Sequence, residues 1–178
     1  MLTKKIFFSV LLVFVWLGFG MLQDALKIDV NYLLDKSSVI SGYSNLDVKE
    51  RQLQIESLSG KNDYNYYKSH RNFDFFFFLS QRELNVLKWI ATPFYMLIHF
   101  LFGILLFRIN GVKLGRVLVL IYVSGFSASL LTYAFGVGVG IDMYALSRRV
   151  VGFLQSILPT LFVVLYYLIE KKNGHIKE

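Results

Sequence analysis

Some polar side chains in this sequence stand inside or beside long apolar stretches, and these are the residues that could do chemistry. Arg148 and Arg149 come just before an apolar run. At helical spacing, Tyr144, Arg148, Gln155 and Pro159 share one broad face. Because an arginine fork pairs bidentately with carboxylate or phosphate groups, the pair predicts contact with a partner or substrate. The alternative is that both arginines snorkel at a membrane interface while the face packs against other helices.

A single histidine, His99, stands near the middle of another apolar run. It could act as a proton relay, a metal ligand or an interhelical hydrogen-bonding group. No second histidine, cysteine or carboxylate lies at metal-ligand spacing around it. The sequence therefore predicts no metal site and favours a structural hydrogen bond for His99, with a contact to partner or substrate as the alternative.

Small residues predict close helix packing. Gly136-x-x-x-Gly140 matches the small-x-x-x-small pattern that lets helix backbones approach each other, and Gly152 flanks the arginine-bearing face. The alternation of glycine and valine from Gly136 to Gly140 could also end the helix early.

The composition excludes several kinds of chemistry. With no cysteine, the chain has no disulfide, no thiolate metal site and no cysteine nucleophile. No Ser-His-Asp pattern, H-E-x-x-H motif or phosphate loop occurs. No catalytic residue and no cofactor are predicted, and the chain is expected to be non-enzymatic.

Four apolar runs predict the fold, since about 20 apolar residues cross the hydrocarbon of a bilayer as a helix. They contain 17, 19, 25 and 20 residues, with no aspartate, glutamate, lysine or arginine, and His99 is their one histidine. The runs are Ile6–Leu22, Trp89–Phe107, Val117–Ile141 and Val150–Ile169. We expect an all-α integral membrane protein, a bundle of four transmembrane helices. Residues 1–22 are expected to form the first helix, and residues 88–178 the other three helices and a basic tail. Lys4 and Lys5 before an apolar run are also typical of a cleaved signal peptide, which would leave three spans, but the length of the run favours an uncleaved signal anchor.

Basic residues predict the orientation, because short cytoplasmic loops are enriched in lysine and arginine. The two ends and the connection between the second and third runs together hold eight basic residues, whereas the connection 142–149 holds two. Both termini are therefore expected in the cytoplasm, in the inner membrane of a bacterium. Topology and contact with the lipid bilayer account for the basic excess, so no nucleic acid is predicted as a partner.

Residues 23–87 are expected to form an extracytoplasmic loop region between the first two helices. Within it, Leu46–Leu58 mixes helical and strand spacing, so its structure stays open, and Asp63–Tyr67 is a polar, tyrosine-rich tract. Phe75–Phe78 are four consecutive phenylalanines, which we expect to enter the interface or pack against the helices. Ser80 and Glu83 have the spacing of a capping box that starts the second helix.

The segment Tyr144–Pro159, YALSRRVVGFLQSILP, resembles small membrane proteins encoded alongside exosortases in Bacteroidota. Their architecture is similar too, with a few spans, one outer loop and a basic tail. Exosortases resemble membrane-embedded cysteine transpeptidases, so this cysteine-free chain cannot be that enzyme. The resemblance implies an accessory partner of an exosortase and carries no catalytic residue to this sequence.

Two functions follow as predictions. The first is a non-enzymatic accessory subunit of a bacterial inner-membrane complex, with a membrane protein, such as an exosortase, as its partner. The second is a small transporter or channel with a polar path along the fourth helix. The second is weakened because the four apolar runs contain no acidic residue, which an ion-coupled transporter usually carries.

Overall fold

The computed structural model describes residues 2–59, 74–141 and 143–173, and within them the chain is helical with no strand. Two short 3₁₀ turns, Tyr43–Asn45 and Asp74–Phe78, accompany six α-helices in these ranges. The helices are α1 (Leu2–Ser37), α2 (Val48–Leu58), α3 (Gln81–Asn110), α4 (Gly115–Val139), α5 (Tyr144–Leu154) and α6 (Leu158–Lys172).

Three of these helices, α1, α3 and α4, are long and apolar enough to cross a membrane, and α5 with α6 make a fourth span if that bent pair counts as one. The most apolar stretches of the three have mean hydropathies of 2.2, 2.0 and 1.8, and 11%, 28% and 17% of these stretches is buried inside the chain. In water such exposed apolar surface would be a large liability. Its exposure is consistent with a membrane protein.

The fourth predicted span is two helices rather than one uninterrupted helix. Residues 155–157 separate α5 from α6, and the two axes are bent by 60°. Pro159 explains the break, since it has no N–H for the carbonyl of Gln155 and its ring clashes with a continuing helix. Ser156 Oγ completes the turn by donating to the carbonyl of Phe153 (2.6 Å) and accepting from the N–H of Leu158 (3.2 Å).

The region expected as a loop, 23–87, is largely helical where the structure describes it. The first helix does not end at residue 22 but continues to Ser37, for a length of about 54 Å at 1.5 Å per residue. The open question of Leu46–Leu58 is resolved in favour of a helix over Val48–Leu58, which Asp47 and Glu50 start with a reciprocal capping box. The tract Asp63–Tyr67 lies outside the described residues.

The predicted capping box at Ser80 is confirmed. The backbone N–H of Ser80 donates to the Glu83 carboxylate at 2.7 Å, and the Glu83 N–H donates to Ser80 Oγ at 3.3 Å. These bonds satisfy two N–H groups that a helix start leaves without intrahelical partners. Helix α3 begins at Gln81 as a result.

The chain divides into two compact units, one comprising Met1–Leu17 with Thr92–Glu178 and the other Gly18–Ala91. In the second unit, Phe76 and Phe77 are buried with Leu33, Ile55 and Leu84, whereas Phe78 is 67% exposed. The phenylalanine tract thus packs against helices, which is one of the two arrangements the sequence predicts.

A buried arginine holds the segments of the Gly18–Ala91 unit together. Arg51 is 7% exposed and donates to four backbone carbonyls, those of Tyr43 (3.0 Å), Ser44 (2.9 Å), Phe77 (3.0 Å) and Leu79 (3.2 Å). Its guanidinium also lies 4.9 Å from the centroid of the Tyr43 ring. One side chain on α2 therefore fixes both 3₁₀ turns, because a guanidinium offers five donors in a rigid fork.

In the other unit, the core lies between α3, α4, α5 and α6. Its buried members include Met96 and Phe107 on α3, Leu118 on α4, Leu154 on α5 and Val163 on α6. Each of the four helices therefore contributes apolar side chains to one cluster. This packing sets the orientation of α5, which carries the predicted site.

Candidate functional site

Helix α5 carries the arginine pair, and it is anchored to α4 through a pair of buried serines. The hydroxyls of Ser129 and Ser147 lie 2.8 Å apart, and Ser147 Oγ donates to the Ser129 carbonyl at 3.0 Å. Both serines are buried, with 3% and 7% exposure. Small hydroxylated residues suit such a contact because they let two helix backbones approach closely.

The anchor leaves the arginines on the surface of the protein. Arg148 and Arg149 follow Ser147 directly, and both are exposed. Neither guanidinium is hydrogen-bonded or ion-paired to a residue in the ranges 2–59, 74–141 and 143–173. Tyr144 is 45% exposed at the start of the same helix. We call Tyr144, Arg148 and Arg149 the α5 face.

Helix α5 begins at Tyr144 with Met143 as its N-cap residue, and no side chain caps the helix there. The preceding residue, Asp142, lies outside the described residues. Since a helix N-terminus carries a partial positive charge, two arginines in the following turn add to a region that already attracts anions.

Gln155 is not part of the α5 face. It follows the last residue of α5, is 8% exposed, and its side-chain amide donates to the carbonyl of Thr92 on α3 at 2.8 Å. The break before α6 separates Pro159 from the helical stripe that the sequence predicts. The four residues of that stripe therefore do not form one continuous surface.

His99 is also internal. It is 4% exposed and lies on α3, where the indole N–H of Trp16 donates to its Nδ1 at 2.5 Å. The Trp16 ring stacks on Phe102 with 5.5 Å between centroids and 15° between planes. His99 thus makes the interhelical hydrogen bond that the sequence favours.

The three glycines predicted for helix packing have different surroundings. A Cβ on Gly136 would lie 2.8 Å from the carbonyl oxygen of Ile141 and 2.9 Å from the Cβ of Met143, so the chain folds back tightly over this position. Gly140 ends α4 in a left-handed conformation with φ of 72°. A Cβ on Gly152 would meet nothing within 4 Å.

Two further glycines, which are not among the three predicted for helix packing, also lie in close contacts. A Cβ on Gly103 would overlap the hydroxyl of Thr160, and one on Gly125 would lie 3.1 Å from methyl carbons of Leu154. Gly103 stands alone in its run with no small residue four positions away on either side, so the small-x-x-x-small pattern does not reveal it.

The two guanidiniums of the α5 face could bind an anionic group or a carbonyl group. Within the described residues, no group of three or more histidine, aspartate or glutamate side chains is placed to hold a metal ion. The chain matches no protein-family model, no curated protein and no solved structure. Function is therefore inferred from the contacts and exposure of these side chains.

Proposed function

We propose that this protein is a non-enzymatic accessory subunit that binds a membrane protein through the α5 face. One observation carries the proposal: Arg148 and Arg149 are exposed and without partners in the described part of the chain, while the adjacent Ser147 is fixed to α4. A charged pair held on a fixed helix is preorganised, which lowers the entropic cost of binding.

The residue types of the α5 face suit a protein partner. Tyrosine and arginine are enriched among the residues that dominate binding energy at protein interfaces. The exposed Leu146, at 49%, lies one helical turn before Arg149 and adds apolar area beside it. A carboxylate on the partner, or the carbonyl groups at a helix end, would complement the two guanidiniums.

The proposed setting is the inner membrane of a bacterium, with four spans and both termini in the cytoplasm. The α5–α6 pair counts as one broken span in this topology. The basic residues in the α3–α4 connection and at both ends of the chain support the orientation, because lysine and arginine favour the cytoplasmic side. The α5 face then lies at the outer rim.

The proposed partner is an exosortase-type enzyme of a protein-sorting system. Its support is the resemblance of Tyr144–Pro159 to exosortase-associated membrane proteins, and this segment includes the entire α5 face. In this role the chain would hold or orient the enzyme at the outer membrane face and would take no part in bond cleavage.

In-membrane photocrosslinking tests the proposal. A photoreactive residue replaces Arg149 in the full chain, and a matched control replaces Lys49, an exposed cation on α2. We expect one membrane protein to be captured at position 149 and not at 49, and R148A/R149A to abolish its copurification in mild detergent. Capture of lipid alone at position 149, or copurification unchanged in the double variant, would overturn the proposal.

A small transporter is the second candidate, and the break between α5 and α6 favours it. Transporters build substrate sites from discontinuous helices, whose ends leave backbone groups available within the membrane. Against it, Gln155 and His99 are both buried and both hydrogen-bonded inside the chain. The accessory role therefore agrees better with the observed contacts.

A further inference from the structure

An apolar groove runs between α3 and α4, and none of the three α5 face residues lines it. It has a volume of about 390 Å³ and is open along one side. Pro93, Leu97 and Phe100 line it on α3, and Val119, Tyr122 and Val123 line it on α4. Both helices are long and apolar enough to cross a membrane, so the open side would face hydrocarbon.

One polar side chain in the groove lacks a partner. Tyr122 is 8% exposed, and its hydroxyl is buried with no hydrogen bond to any of the residues that the structure describes. The ring is held edge-on against Phe100, with 5.3 Å between centroids. A buried hydroxyl without a partner is costly, and more so where no water can reach it. Because the hydroxyl itself is buried, Tyr122 presents its ring to the groove.

The charge at one end of the groove indicates what the occupant is. Arg116, Val119, Val123 and Phe126 follow each other at helical spacings of three, four and three, so the groove-lining stripe of α4 continues to an arginine in its first turn. Arg116 is exposed and bonds to nothing among the described residues. An anionic group is therefore expected beside this end of the groove.

The sequence on either side of Arg116 holds no acidic residue that could pair with its guanidinium. Residues 84–141 contain no aspartate or glutamate, whereas the connection between α3 and α4 and its two flanks carry Arg108, Lys113 and Arg116. Basic clusters at helix ends near the membrane surface attract anionic lipid headgroups. Because side chains lean toward the start of their helix, Tyr122 leans toward the same basic end.

We propose that the α3–α4 groove binds an anionic phospholipid. Arg116 holds its phosphate, and one acyl chain lies along Val119 and Val123 and over the ring of Tyr122. The groove runs about 10 Å along α4 from Val119 to Phe126, which suits an extended hydrocarbon segment. This site rests on α3 and α4 crossing a membrane and is independent of the partner proposed for α5.

The test uses the full chain in phosphatidylcholine vesicles doped with a phosphatidylglycerol that carries a photoreactive group on its acyl chain. We expect crosslinks to the α3 and α4 residues of the groove, and about fivefold less labelling in R116Q. Y122F, which keeps the ring that lines the groove and removes only a buried hydroxyl, is expected to label like the wild type. The same probe with a phosphatidylcholine headgroup is expected to label the groove weakly.

A second pair of variants separates groove binding from general contact with lipid. V123W fills the groove, and L131W places the same ring on α4 at a side chain that is 70% exposed and does not line the groove. We expect V123W to lose the label and L131W to keep it. Equal labelling of both variants or equal labelling by the two headgroups would overturn the proposal. So would a crosslinked dimer of the chain when a photoreactive residue replaces Val123 in the same vesicles.

Discussion

The indole Nε1 of Trp16 donates a hydrogen bond of 2.5 Å to Nδ1 of His99, and this joins α1 to α3. Indole nitrogen can only donate, so Nδ1 must accept and the ring proton of neutral His99 sits on Nε2. Both residues are buried, at 1% and 4% exposure. The histidine is therefore a structural hydrogen-bonding group within its unit.

Removing this hydrogen bond should destabilise the protein moderately. In W16F the ring still stacks on Phe102 but offers no donor, and in H99A the acceptor is lost. Hydrogen bonds between membrane helices couple with about 0.6–1.7 kcal/mol, so a double-mutant cycle of these two changes should give an interaction energy in this range. Unfolding in mixed micelles measures it. Strictly additive effects of the two changes would contradict the assigned contact.

The helices were predictable because apolar length and capping signals are local properties. The long apolar runs predict α1, α3 and α4, and the spacing of Ser80 and Glu83 predicts where α3 begins. The membrane environment, the four-span topology and the orientation remain predictions, since the helices themselves do not define the lipid around them. The continuation of α1 to Ser37 was missed because charged residues from Asp24 onward end the apolar run without ending the helix.

The candidate site was less predictable because it depends on contacts between distant segments. The sequence identified Arg148 and Arg149 but placed Gln155 on their face, since it assumed an uninterrupted helix through Pro159. The partners that decide each role, Thr92 for Gln155 and Trp16 for His99, lie 63 and 83 residues away. Periodicity within one helix cannot reveal such pairs.

Alanine substitutions at two glycines should have opposite effects. G136A places a Cβ 2.8 Å from a backbone oxygen that cannot move aside, so we expect a loss of about 1–3 kcal/mol in the free energy of unfolding. G152A is the matched control on α5, where the added methyl meets nothing. The higher helix propensity of alanine should raise the free energy of unfolding by about 0.5–1 kcal/mol. Thermal unfolding in detergent compares the two variants. Equal changes in their unfolding temperatures would argue against the close approach of Ile141 and Met143 to Gly136.

Loss of the buried arginine should unfold the Gly18–Ala91 unit. R51M removes the donor to four backbone carbonyls at once, and we expect a cost of at least about 3 kcal/mol. K49M is the control, because Lys49 is exposed on the same helix and its loss should change stability by less than about 0.5 kcal/mol. Protease resistance of the unit reports the difference. Similar resistance in the two variants would mean that Arg51 does not hold the turns.

Tyr43 offers a change that should stabilise the same unit. Its hydroxyl is buried and bonds to no residue in the described ranges, so Y43F should be neutral or stabilising by about 1 kcal/mol. Burial raises the pKa of Tyr43 above its usual 10.0, although Arg51 opposes the shift. Above pH 10 the unfolded state loses this proton first, so wild-type stability falls as pH rises and the advantage of Y43F grows. A clear loss of stability in Y43F at pH 7 would reveal a hydrogen bond to that hydroxyl.

Water access distinguishes the accessory role from the transporter. The chain has no cysteine, so single cysteines at positions 99, 155 and 156 report accessibility without a background. Because His99 and Gln155 are buried and bonded inside the chain, we expect these positions to react with a membrane-impermeant thiol reagent far more slowly than a cysteine at exposed Arg149. Rapid labelling at both 99 and 155, in protein that still passes the thermal unfolding test, would favour a water-filled path and therefore the transporter.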